Sequence, residues 1–129
     1  MLDLTTLKVL AKMASGEEGP NVRFQFTNPD TKGALCSCAT LEEMYECIAK
    51  LEPGILAAHV CSCEESEESS GTKDLAFYIH YVLGDAELSM KIYSAAEKYA
   101  DDHDKLKLEI CNHLFTRLLN FSEIALIPD

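Results

Sequence analysis

Glycine occurs only six times in these 129 residues and proline four times. The chain has no Gly-rich loop to cradle a phosphate and no Gly-x-Ser-x-Gly elbow to present a serine nucleophile. The four histidines, His59, His80, His103 and His113, never stand at His-x-x-x-His or His-Glu-x-x-His spacing. Basic residues are scarce as well: 11 against 22 acidic ones, for a net charge of −11. Such a charge repels phosphate backbones and anionic lipid, so nucleic acid and membrane surfaces are not expected partners. No apolar run approaches the roughly 18 residues of a membrane span. Met1–Ser15 is amphipathic rather than uniformly apolar and is followed by Glu17 and Glu18, which argues against a signal peptide. A chain without one is expected in the reducing cytoplasm, where cysteines are read as thiols or metal ligands before disulfides.

What the chain does have is a globular composition, 47% hydrophobic, and a length that suits one domain over residues 1–129. Four of its six cysteines fall in two Cys-Ser-Cys tripeptides, Cys36–Cys38 and Cys61–Cys63. Thiols at i and i+2 of a strand point to one face and act as a two-toothed claw.

The pattern of elements places these claws. Leu4, Leu7, Leu10, Ala11 and Ala14 recur at helical spacing over Asp3–Ala14. Val22-Arg-Phe-Gln-Phe26 alternates as a half-buried strand, Asn28-Pro-Asp30 is a turn, and Ala34–Cys38 reads as the returning strand. Thr40-Leu-Glu-Glu43 is a capping box that opens a helix to Leu51, with Leu41, Met44, Tyr45, Ile48 and Leu51 on its apolar stripe. Pro53-Gly54 reads as its stop and Ile55–Cys63 as a third strand, parallel to the second through a right-handed βαβ crossover. The acidic stretch 64–72 reads as a flexible linker. Three helices follow: Lys73–Leu83, stopped by Gly84; Ala86–Ala100, capped by Asp85; and His103–Phe121, capped by Asp102. The fold expected is therefore α+β, with a small three-stranded mixed sheet (hairpin plus βαβ) packed with helices and a three-helix C-terminal half.

On adjacent parallel strands the two claws would lie at the same end of the sheet, within about 5 Å. Cys36, Cys38, Cys61 and Cys63 would then suit a tetrahedral zinc or iron site, with His59 on the same face able to replace one sulfur. Against this, zinc sites commonly space their cysteines as Cys-x₂₋₄-Cys, and free cysteine is among the most buried residue types. Alanines 34, 39, 57 and 58 point to a tight interior that favours small side chains. Cys38, two residues before the N-cap Thr40, is also placed for the helix dipole to lower its pKa and make it a redox thiol. No neighbouring basic residue supports that thiolate, and Cys-x-Cys is not the usual redox motif. Asp101, Asp102 and Asp104 around His103 are better explained as caps and dipole partners at a helix start than as metal ligands. Phe77, Tyr78 and Tyr81 would cover nearly all faces of one helix, which makes that helix central or sets it against a partner.

The stretch from Val22 to Ile92 resembles a family of small archaeal and bacterial domains of unknown function. The likeness rests on the Phe24-x-Phe26 strand, the Leu41-Glu-Glu helix, the strand ending in His59, and Asp74-Leu-Ala-Phe-Tyr-x-x-x-Val-Leu-Gly-Asp-x-Glu-Leu88. Tyr78 stands where that pattern has an aromatic such as Trp, and the Cys-Ser-Cys claws lie outside it. The resemblance implies an order of elements and no activity. The reading that follows is a non-enzymatic cytoplasmic binding or regulatory domain without catalytic residues or an obligatory cofactor, acting on another protein or on itself as a homodimer. A thiolate metal protein, or a thiol-redox enzyme using Cys38, is the alternative.

Overall fold

A computed structural model describes residues 3–18, 22–28, 30–60 and 74–128. Six helices and one hairpin make up the described chain: α1 (Leu4–Ala14), β1 (Phe24–Thr27), β2 (Ala34–Cys38), α2 (Leu41–Lys50), α3 (Pro53–Val60), α4 (Asp74–Tyr81), α5 (Ala86–Lys98) and α6 (His103–Ala125). The long helix α6 is the axis of the fold. It packs against α1, α2, α3 and α5, while α4 pairs with α5 and the hairpin rests on α2 and α3.

The caps explain where the helices start. Asp3, Thr40, Asp85 and Asp102 each accept a backbone N–H three residues on, from Thr6, Glu43, Leu88 and Lys105. In the capping box, Glu43 reaches back to accept the Ala39 N–H at 2.8 Å. That bond, helped by Arg23, holds the Glu43 carboxyl below its ordinary pKa. The α4 stop at Gly84 requires φ +76°, which glycine adopts without strain, and Asp85 N–H closes the turn on the Ile79 carbonyl. In the hairpin, Asn28 Oδ1 accepts from Asp30 N–H at 2.8 Å, so the turn follows from the local chemistry of asparagine.

The sheet differs from expectation. It has two antiparallel strands, with Phe24 opposite Cys38 and Phe26 opposite Cys36, and no third strand among the described residues. Residues read as the start of a third strand form the helix α3. Pro53 is its first residue, where a missing N–H costs nothing and the fixed φ favours the helix, so Pro53-Gly54 starts an element rather than stopping one. The run Ile55–Val60 is apolar on nearly every side, and periodicity cannot separate a buried strand from a buried helix in so short a run. Leu56, Ala57 and Ala58 are good helix formers, and Leu56, Ala57, His59 and Val60 are buried. There is accordingly no βαβ crossover among the described residues. The expected linker at 64–72 lies outside the described residues.

One core runs through the molecule. Phe26, Leu41, Met44, Ile48, Leu56, Leu75, Ile79, Leu88, Ile92, Leu106, Ile110 and Leu114 are its fully buried large side chains. At about 1.5–3 kcal/mol for each such side chain, this burial outweighs any single polar contact. Phe24 and Phe26 meet edge to face at 4.8 Å, and both rings touch His59. The Tyr78 hydroxyl donates to the Val22 carbonyl, which ties α4 to the chain entering β1.

Candidate binding groove

A groove of about 620 Å³ opens where α1, the start of α2 and the end of α6 meet. Its floor is apolar: Ala11 and Ala14 from α1, and Leu118, Phe121, Ile124 and Ala125 from α6. Its rim is polar and of both signs, with Lys8 and Lys12 on α1, then Glu17, Thr40, Glu42 and Ser122. This size and mixture fit the usual range of ligand pockets, a few hundred to 1,000 Å³ with few polar groups on an apolar body.

Local sequence accounts for the opening. Alanines at 11, 14 and 125 leave room that longer side chains would fill. Gly16 follows α1 at φ +85°, a left-handed conformation that glycine adopts without strain and that turns the chain away at the groove's edge. At the other end, Lys8 Nζ donates to the Ile127 and Pro128 carbonyls at 3.1 and 3.0 Å, a cation placed at the carbonyl end of α6. The groove is missed in the sequence because it depends on where three helices end relative to one another. A weak signal was available in the small residues on otherwise large-residue faces.

Of the two expected claws, only Cys36 and Cys38 lie among the described residues. Cys36 and Cys47 form a disulfide, with Cα atoms 6.0 Å apart, which bonds β2 to α2 and corrects the reading of Cys36 as a thiol. Cys38 is fully buried, and burial followed by the nearby Glu43 charge pushes its thiol up to about 12. The Cys38 thiol therefore stays protonated at neutral pH, the opposite of what a redox nucleophile needs. Cys61 and Cys63 lie outside the described residues. His59 sits in the core, where its Nε2 accepts the Thr27 N–H at 3.1 Å. Among the described residues, no group of three or more His, Cys, Asp or Glu side chains is placed to hold a metal.

Two other features lie outside the groove's lining. Arg117 is buried on α6 and makes a two-pronged pair with Asp85 at 2.7 and 2.8 Å, with a third bond of 2.8 Å to Glu87. Burial works against its charge, yet the bonds and charges of Asp85 and Glu87 more than offset it and raise its pKa. That pair locks the α4–α5 turn to α6 and is structural. On α4, Phe77 and Tyr81 are 60% and 64% exposed with ring centroids 4.6 Å apart, and His80 stacks on Tyr81. Only Tyr78 of the three aromatics is buried, so the expectation of an all-round core helix holds for one face alone.

No protein-family model, curated protein or solved structure matches the chain. No helix among the described residues is long and apolar enough to cross a membrane.

Proposed function

We propose that this protein is a non-enzymatic binding or regulatory domain whose ligand occupies the groove between α1, α2 and α6. The observation that carries this reading is an apolar floor of about 620 Å³ with a rim of lysines, glutamates and hydroxyls. Such a site retains ligands by burial and orients them by a few polar contacts. The titratable groups at its rim, Lys8, Lys12, Glu17 and Glu42, are exposed or half-exposed, whereas catalytic acids and bases are typically held in desolvated surroundings. Cys38, with its thiol pushed up to about 12, weighs against a thiol-redox enzyme.

An apolar reporter dye, 8-anilinonaphthalene-1-sulfonate, tests the site directly. Its fluorescence is expected to rise with the native protein and to lose most of that gain in Ala125→Trp, which fills the groove from an exposed position. Tyr81→Ala, on α4, is expected to leave the signal in place. A dye signal that survives Ala125→Trp, or that Tyr81→Ala removes, contradicts the assignment.

A further inference from the structure

We propose that the occupant of the groove is a cationic amphipathic helix from another protein, its apolar face on α6 and its basic end against α2. This rests on the groove reading above and specifies the partner for it.

The apolar floor does not stop at the edge of the groove. Leu118 lines it, and one turn back on α6 stands Phe115, 48% exposed, its ring 5.9 Å from that of Tyr45 on α2. Residues three and four apart share a helix face, so Phe115, Leu118, Ser122 and Ala125 form one strip. Leu119, 50% exposed, widens it. From Phe115 to Ala125 the strip rises about 15 Å, three turns of helix. A small rounded ligand would cover half of it. A helix presenting apolar side chains at i, i+3 or i+4, and i+7 would cover it all.

Charge selects the sign of the partner. At the α2 end, Glu42 and Glu46 are exposed one turn apart on the same side of the helix. At the α1 end the cations are engaged or matched: Lys8 Nζ is held by the Ile127 and Pro128 carbonyls, and Lys12 shares the rim with Glu17. Beyond these contacts, the whole chain carries −11 and attracts cations from a distance. The same charge disfavours a second copy of this chain, which would bring −11 against −11, and disfavours an anionic membrane. Basic residues on the partner therefore belong at its Glu42–Glu46 end, with neutral or acidic ones over Lys12.

Two labelled peptides of about 18 residues, long enough to hold a helix, test this. Both carry the same apolar stripe and neutral residues at one end; at the other end, meant for Glu42 and Glu46, one has lysines and the other glutamates. Fluorescence anisotropy is expected to show saturable binding of the lysine peptide, weakening as salt is raised, and at least about tenfold weaker binding of the glutamate peptide. The double variant Glu42→Lys/Glu46→Lys, on exposed positions and checked for folding by circular dichroism, still carries −7 (−11 plus 4) and is expected to remove most of that preference. Ala125→Trp is expected to abolish binding of both. Equal affinity for the two peptides, or a preference unmoved by the charge reversal, overturns the cationic partner. Binding of neither peptide, with the dye still taken up and still displaced by Ala125→Trp, overturns the helical partner and leaves the groove reading standing. Self-association in sedimentation that Ala125→Trp abolishes overturns the proposal in favour of a second copy. Loss of the dye signal altogether would overturn the groove reading itself.

Discussion

Arg117→Met is expected to lower the unfolding free energy by about 3–5 kcal/mol, because it removes one partner of a buried ion pair and strands the other. Arg117 and Asp85 side chains are only 8% and 4% exposed, and the guanidinium spans both carboxylate oxygens. With the arginine gone, Asp85 keeps its cap to the Leu88 N–H but loses its counter-charge in the core. Arg117→Lys is expected to lose less, since an ammonium keeps the charge but does not reproduce the planar fork. Adding Asp85→Asn to Arg117→Met is expected to recover part of the loss, because asparagine still caps α5 and carries no charge to strand. Denaturant titrations of the two single variants and the double variant close the cycle. Additive effects, with no recovery in the double variant, would show that the pair is not coupled as its geometry requires.

Reduction of the Cys36–Cys47 bridge is the second large effect. The bridge spans a sequence separation of 11, and closing a loop of about that size is worth roughly 3 kcal/mol through the unfolded chain. Wild-type protein is expected to melt at a higher temperature when oxidised than in excess dithiol. Cys36→Ala/Cys47→Ala is expected to melt near the reduced value in either condition. An identical melting point with and without dithiol in the wild type, after mass mapping confirms the bridge, would remove the disulfide from the stability account. The bridge also matters to the groove. It fastens α2 to β2 only two turns from Thr40 and Glu42, so it helps to hold that wall in place.

Much of this architecture is local and was readable. The starts of α2, α5 and α6 follow from Thr40, Asp85 and Asp102, and the α4 stop from Gly84, because caps and turn residues act within a few positions. The hairpin was equally local, with alternation in Phe24–Phe26 and an asparagine turn. The strand expected at Ile55–Cys63 gives way to helix over Ile55–Val60, an apolar run with no face of its own, and Pro53 begins α3 rather than ending α2. The claws depended on that strand, which is absent among the described residues, and Cys61 and Cys63 lie outside them. Cys47 drew no attention because its partner lies across a helix–strand contact that only the tertiary fold creates. Arg117 did leave a trace. It lies three residues after Leu114 and four before Phe121, a charged residue on the buried face, which calls for a buried counter-charge. The groove left almost none, since it forms where helix ends from distant parts of the chain converge.

The central claim is that the binding surface is the strip of α6 flanked by α1 and the start of α2. Amide chemical-shift mapping during titration with the lysine peptide tests it residue by residue. The largest changes are expected at Ala11–Ser15, at Thr40–Glu46 and along Phe115–Ala125, with Phe77–Tyr81 of α4 unmoved. Changes centred on Phe77, His80 and Tyr81, with the strip silent, would place the binding surface on α4 and contradict the account.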